Sequence, residues 1–204
     1  MNKFDQIANK ETIDKTIEAL KTNGIDAEYV ATGEEAKQKV LSFIPEGAEV
    51  FNNTSVTIDS LGIADALNNS GKYNAVRNKL NSMNRETQGL EMQKLGAAPE
   101  YAVGSVHAVT ENGSVLIASN SGSNLPSNSY ASAHIIWVIG GQKIVKDTEE
   151  GMKRVYEYVL PLESERAHKA YGVPGSFVSK LLIINREKVP GRIKAFIVGE
   201  SLGF

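Results

Sequence analysis

Residues 25–51 read IDAEYVATGEEAKQKVLSFIPEGAEVF, and they decide the fold class. The apolar run Ile25 to Val30 has the length of a short strand, and Thr32 begins a capping box that opens an amphipathic helix. Pro45 ends that helix, because the residue before a proline disfavours the helical conformation. Ala48 to Phe51 is the next predicted strand. A strand, a helix and a strand in this order are typical of an α/β sheet.

The same alternation extends on both sides of this stretch. An N-terminal helix is predicted over most of Asp5 to Thr22, and another helix over Ile58 to Leu67. Further strands are predicted at Tyr101–Val106, His107–Thr110, Ser114–Ala118, His134–Ile139, Leu181–Ile184 and Ile193–Val198. No internal repeat or linker interrupts the pattern, so we expect one α/β domain over residues 1–204.

Two helical segments complete the prediction. Asp147, with Glu150 three residues later, opens a helix that we expect to end at Pro161. Residues 72–95 are polar and compatible with helix, and they predict an excursion from the sheet that acts as a flap over a site.

Composition excludes several classes of protein. Lys and Arg number 22 and Asp and Glu number 24, a net charge of −2 that argues against a dedicated nucleic-acid binder. The absence of cysteine excludes disulfides, zinc–cysteine sites, cysteine-held iron–sulfur clusters and cysteine nucleophiles, and it fits a reducing compartment. The three histidines are too far apart in sequence for a standard metal motif. Without an apolar signal core or a run long enough to cross a bilayer, we expect a cytoplasmic protein with no membrane insertion.

The polar residues after the second strand are the first candidates for a ligand site. Asn53, Thr54, Ser55 and Thr57 stand between a predicted strand and a predicted helix, where backbone N–H groups favour phosphate or carboxylate. Ligands of open α/β sheets also bind beyond the carboxyl ends of strands. The alternative is a plain helix N-cap. We favour the ligand site, because one cap does not require so many polar residues.

Three further segments follow predicted strands. Glu111 precedes Asn-Gly, either as a solvated turn residue or as a carboxylate that acts as nucleophile or general base. Gly122, Ser123 and Asn124 belong to a loop of small polar residues that either cradles a ligand or is a flexible surface loop. Lys143 follows a buried strand and can reach an anion over the strand ends, although a surface lysine is the commoner outcome.

Taken in order, these segments resemble the lactate-utilization family, also called the LUD domain family. Ser55–Gly62 resembles the family's S-x-T-L-x-x-x-G segment, and Ala108–Ser114 resembles its A-I-[AT]-E-[TD]-G segment. His134–Val138, Gly141–Val145 and Pro161–Arg166 resemble its H-[IV]-x-V, K-I-V and P-x-x-x-x-R segments. The resemblance covers nearly the whole chain.

This resemblance implies a fold similar to sugar-phosphate isomerases and class I CoA transferases, which is a mostly parallel sheet with helices on both faces. In CoA transferases a glutamate in an E-N-G context is the covalent nucleophile, so the resemblance implies a catalytic Glu111. The chain departs from the family pattern at Asn52-Asn53-Thr54, where glycines are usual. It departs again at Asn124, the nearest counterpart of an arginine in many members, so the substrate differs or another cation replaces that arginine.

The leading functional hypothesis follows from the resemblance. It is a subunit of a lactate-oxidising system, without an iron–sulfur cluster, that binds a small carboxylate or phosphorylated ligand over the strand ends. The expected partners are a small anionic metabolite and an iron–sulfur subunit, because electrons must pass through a partner or a bound organic cofactor when the chain has no cysteine. A homo-oligomer is left open, and His134 is a secondary site candidate that better fits a structural role.

Two alternatives remain open at this point. The chain is a stand-alone enzyme of the CoA-transferase or sugar-phosphate-isomerase type that uses Glu111, or it is a non-catalytic ligand-binding or scaffolding module.

Overall fold

The computed structural model describes residues 2–204 and contains two β-sheets. The strands are β1 (Asp26–Val30), β2 (Glu49–Asn52), β3 (Asn74–Ala75), β4 (Tyr101–Gly104), β5 (Ala108–Thr110), β6 (Val115–Ser119), β7 (His134–Gly140), β8 (Ile144–Val145), β9 (Lys180–Ile184) and β10 (Ile193–Val198). The central sheet has six strands in the order β1-β10-β7-β4-β2-β3, and every pair is parallel. The second sheet has the order β8-β5-β6-β9 and is antiparallel except for β5 with β8.

Helices flank the central sheet. They are α1 (Lys10–Thr22), α2 (Gly33–Phe43), α3 (Val56–Ser60), α4 (Ile63–Asn69), α5 (Val76–Ser82), α6 (Arg85–Ala97), α7 (Thr148–Lys153) and α8 (Leu160–Tyr171). The predicted α/β fold, with a mostly parallel sheet, helices on both faces and an N-terminal helix, is confirmed. That residues 1–204 form one domain stays a prediction, and Met1 lies outside the described residues.

Two helix starts lie where the sequence places them. The Thr32 side chain accepts a hydrogen bond from the Glu35 N–H at 3.2 Å, and the Asp147 side chain accepts one from the Glu150 N–H at 2.9 Å. The N-terminal helix begins later than expected, because the Asn9 side chain caps it by accepting from the Thr12 N–H at 2.8 Å.

The prediction that Pro161 ends the helix opened at Asp147 was wrong. The helix continues through a π-helical stretch, Arg154–Val159, directly into α8. In that stretch the Leu160 N–H bonds to the Val155 carbonyl five residues back. Pro161 therefore stands in the first turn after a change of helical register, where its missing N–H is tolerated.

The central strand β7 organises the core. Ile135, Trp137 and Ile139 point to a cluster that contains α1 and part of the second sheet. Ile136 and Val138 point to the opposite cluster, which contains α2, α3 and α4. Side chains of a strand alternate between faces, so a strand covered on both sides is apolar throughout.

The carboxyl edge of the central sheet is where the loops meet. Because the strands are parallel, the residues that follow β2, β4, β7 and β10 all leave at this edge. The segment after β10 is held there by Gln142, whose Nε2 donates to the Leu202 carbonyl at 3.0 Å. Gly203 has φ +61°, and a Cβ at this position would lie 2.5 Å from Thr57 Oγ1. Only glycine lets the backbone pass so close to Thr57.

Candidate functional site

A cleft of about 460 Å³ opens over the carboxyl edge of the central sheet. Its walls come from the loops after β2, β4, β6 and β7, from the π-helical stretch and α8, and from residues 173–178. This volume lies within the range of roughly 300–1,000 Å³ that is usual for small-molecule sites.

Most of the predicted ligand-binding residues come together in this cleft. The predicted residues that line it are Asn53, Thr54, Ser55, Ser123, Asn124 and Lys143. Thr57 lies directly behind the wall and contacts Lys143, and Gly122 belongs to the same loop as Ser123, with φ +87°.

Lys143 is the most unusual of these residues, because its side chain is 1% exposed. Its Nζ donates to Thr57 Oγ1 at 3.0 Å and to Ser105 Oγ at 3.1 Å. Within residues 2–204 no carboxylate forms an ion pair with this amine. Burial, together with the positive charge of Arg154, lowers the pKa of Lys143 well below its ordinary value.

The chain directs Lys143 inward through the turn that precedes it. Residues Gly141–Lys143 form a 3₁₀ turn directly after β7. A Cβ on Gly141 would lie 2.9 Å from Ile7 Cγ2 and 3.1 Å from the Val198 carbonyl oxygen, so the backbone is packed closely here. Gln142 fixes the turn by hydrogen bonds to the Leu202 N–H and carbonyl.

Two further buried basic groups surround Lys143. Arg154 is fully buried and donates through Nη1 to the His107 carbonyl at 2.5 Å. Burial lowers the pKa of Arg154 to about 10. His107 accepts a hydrogen bond from the Ala118 N–H at Nδ1, 3.1 Å away. Burial lowers the pKa of His107 to about 3, and the positive charge of Arg154 adds to this effect, so this imidazole is neutral.

Two arginines that line the cleft were not among the predicted site residues. Arg77, from α5, donates through Nη2 to the Asn52 carbonyl at 2.6 Å, and its guanidinium lies 4.7 Å from the centre of the Phe51 ring. Arg166, from α8, forms a two-point ion pair with Glu163, with both N···O distances at 2.7 Å. The available signals were the Asn124 departure, for which a replacement cation was one of two explanations, and the P-x-x-x-x-R segment that ends at Arg166.

Two amide side chains on the cleft have unused hydrogen-bonding capacity. The oxygens Asn53 Oδ1 and Asn124 Oδ1 are buried and accept no hydrogen bond from any residue between 2 and 204. Buried polar atoms without partners are rare in folded proteins, so these two atoms suit a ligand that brings hydrogen-bond donors.

Glu111 lies apart from the cleft. It belongs to the turn between β5 and β6, and its carboxylate forms an ion pair with Lys15 at 2.7 Å. It borders a smaller depression of about 200 Å³ that also contains Lys146 and Glu150. The structure does not bring Glu111 together with the other predicted residues, and its catalytic role stays a prediction.

His134 also lies outside the cleft. Its ring stacks on Tyr101 with 4.5 Å between ring centres. Between residues 2 and 204 there is no group of three or more His, Cys, Asp or Glu side chains placed to hold a metal ion. The described helices include none that is both long and apolar enough to cross a membrane.

The family model for the LUD domain matches residues 13–198. The chain belongs to the LUD domain family. Its structure is similar to that of a DUF162 family protein from Deinococcus radiodurans, with a TM-score of 0.58 and 12% sequence identity over 95% of this chain and 100% of that one. At this identity the similarity shows the fold alone. No curated protein matches the sequence at a significant level. Membership of the LUD family supports a lactate-utilization-type protein.

Proposed function

We propose that this LUD-family protein binds a small carboxylate or phosphorylated metabolite in the cleft over the strand ends, with Lys143 at the centre of the site. The observation that supports the proposal best is the buried Lys143 amine, which has two hydroxyl partners and no carboxylate partner in the described chain. A buried cation is costly unless a negative charge accompanies it. Next to the Lys143 amine, the buried cation is Arg154, which also has no carboxylate partner in the described chain, and an anionic ligand supplies that charge.

The other charged residues of the cleft favour the same ligand class. Arg166 is neutralised by its two-point pair with Glu163. Arg77 faces Asp59. Burial raises the pKa of Asp59, although the positive charges of Arg77 and Arg166 act to lower it. Arg154, the buried positive charge beside Lys143, forms no ion pair within residues 2–204, and a ligand with one carboxylate or phosphate group balances it.

The cleft also suits a ligand with hydroxyl or carbonyl groups beside its anionic group. Ser55, Ser105 and Ser123 present hydroxyls, and the lining residues Asn53 and Asn124 each contain a buried amide oxygen without a partner in the described chain. Val106, Val155, Val159 and Phe204 supply apolar contact surface. Small hydroxy acids, oxo acids and sugar phosphates share this combination of polar and apolar groups.

Within lactate use, we propose the role of a subunit that binds the metabolite and relies on a partner or an organic cofactor for electron transfer. Family membership and the lack of cysteine support this role. The CoA-transferase alternative needs a nucleophilic carboxylate on the cleft. Glu111 borders a different depression. Of the carboxyl groups that line the cleft, Glu163 is tied to Arg166, and burial raises the pKa of Asp59, which disfavours its nucleophilic carboxylate form, so this alternative has less support.

A thermal-shift and calorimetric screen of lactate, pyruvate, sugar phosphates and acyl-CoAs tests the proposal. The screen uses three proteins, namely the native chain, Lys143→Met, and the control Lys188→Met at an exposed lysine that does not line the cleft. A ligand at 100 times its Kd stabilises the folded state by about 2.7 kcal/mol. We expect stabilisation of the native protein and the Lys188 variant and its loss in the Lys143 variant. Equal stabilisation of all three would place the ligand elsewhere.

A further inference from the structure

We infer that Lys143 condenses with a small aldehyde or ketone that carries a carboxylate or phosphate group, and forms an imine with it. This inference rests on the proposed function, because the cleft must first hold the anionic group of the same ligand. It goes further by assigning a covalent step and a carbonyl group to the substrate class.

The hydrogen bonds around Nζ match a neutral amine. Thr57 Oγ1 donates its own proton to the Leu202 carbonyl at 3.0 Å, so towards Lys143 this hydroxyl acts as an acceptor. Ser105 Oγ is the second acceptor. A neutral amine has two N–H groups and one lone pair, whereas an ammonium has three N–H groups. In the neutral form, the two acceptors take both N–H groups and leave the lone pair for the cleft.

The surroundings maintain this neutral state. The charged and titratable groups nearest Lys143 are Arg154, which is positive, and His107, which is neutral. No carboxylate between residues 2 and 204 pairs with Nζ to hold a proton on it. Burial adds to this effect by lowering the pKa of Lys143. A desolvated, neutral lysine is a nucleophile suited to imine formation.

The covalent step balances without an added oxidant or reductant. The lone pair of Nζ attacks the carbonyl carbon, and the carbonyl oxygen takes a proton to give a carbinolamine. The C–O bond then breaks, the oxygen leaves as water, and a C=N bond forms between the ligand and Nζ. Both hydrogens of the water come from the original amine, so one amine and one carbonyl yield one imine and one water.

Ser105 is placed to move these protons. Its Oγ lies 3.1 Å from Nζ and lines the cleft, and its own proton has no acceptor among the hydrogen bonds of residues 2–204. The hydroxyl can therefore accept a proton from the nitrogen while it donates its own to the oxygen of the carbinolamine. Such positioned acid–base assistance is worth roughly 10²–10⁴ in rate.

Reductive trapping tests the inference. The native protein is incubated with pyruvate, glyoxylate or dihydroxyacetone phosphate in the presence of cyanoborohydride, and its intact mass and peptide map are measured. We expect one adduct per chain, with a mass gain of one ligand less one oxygen atom, on the peptide that contains Lys143. Lys188→Met should label as the native protein does, and Lys143→Met should not label. Ser105→Ala should label about 10²-fold more slowly, because it keeps the amine and loses the hydroxyl.

A parallel calorimetric titration with lactate and glycerol 3-phosphate, which have the anionic group but no carbonyl, separates the two proposals. Suppose that either analogue binds in a way that depends on Lys143, but no carbonyl probe gives a trapped adduct. This result overturns the imine and leaves the proposed function standing. If the analogues do not bind and no adduct is trapped, both the imine and the proposed function are overturned. Labelling confined to exposed lysines also overturns the imine. Circular dichroism and Trp137 fluorescence establish that the variants are folded.

Discussion

Replacing Lys143 with methionine should change how the free energy of unfolding depends on pH. Methionine fills a similar volume and carries no titratable group, so the variant removes one buried amine and little packing. In the folded protein the pKa of Lys143 is well below its ordinary value, because the side chain is buried beside Arg154. In the unfolded chain the lysine returns to a pKa of about 10.4.

The direction of the effect follows from proton binding. Between the folded and unfolded pKa values, the unfolded chain binds one proton more than the folded protein, so the free energy of unfolding rises with pH. The contribution of this one group is about 1.4 kcal/mol for each pH unit in that interval. Below the folded pKa the penalty is constant, and above about pH 10.4 it disappears.

Urea unfolding of the native protein and the Lys143→Met variant, from about pH 7.5 to about pH 9.5, measures this contribution. The fluorescence of Trp137 reports unfolding, since it is the single tryptophan and is fully buried. Wherever this range lies between the folded and unfolded pKa values of Lys143, each pH unit should add about 1.4 kcal/mol to the native protein relative to the variant. Parallel curves for the two proteins would refute the claim that Lys143 is neutral in the folded state.

The remaining predictions concern other residues of the site and its surroundings. The pKa of His107 is about 3 in the folded state and about 6.5 in the unfolded chain. The free energy of unfolding should therefore fall by about 1.4 kcal/mol for each pH unit below about pH 6.5. In urea unfolding, a His107→Gln variant should lose less of this free energy than the native protein. Arg77→Met should weaken binding of the anionic ligand by about tenfold in calorimetry, whereas its matched control on the same helix, Lys79→Met, should not. Glu111→Gln should leave ligand affinity unchanged and alter the free energy of unfolding by less than about 1 kcal/mol, because its partner Lys15 is largely exposed; loss of binding would bring Glu111 into the site.

The fold was predictable because its signals are local. The caps at Thr32 and Asp147 and the apolar run at β7 depend on neighbouring residues only. The cleft residues after β2 and β6 were predictable for a related reason, since polar residues after strands gather at one sheet edge. The continuation of the helix past Pro161 was not predictable, because a π-helical stretch leaves no clear pattern in the sequence.

The charges of the cleft depend on tertiary structure. Lys143 was predicted to reach an anion over the strand ends, with a surface lysine as the commoner outcome, and its burial was not predicted. That burial results from the closely packed turn at Gly141 and the segment near Leu202. Arg77 reaches the cleft from the polar segment at 72–95, which was predicted only as a flap. No sequence pattern indicates which distant arginines line the same cleft as Asn124.

A co-crystal structure with the metabolite that gives the largest thermal shift tests the central claim most directly. We predict that the carboxylate or phosphate group of the ligand lies in the cleft against Lys143, Ser105 and Asn53. If the ligand is a carbonyl compound, we predict that its carbon bonded to Nζ lies there. A ligand bound in the depression beside Glu111, with the cleft around Lys143 holding only solvent, would contradict the account.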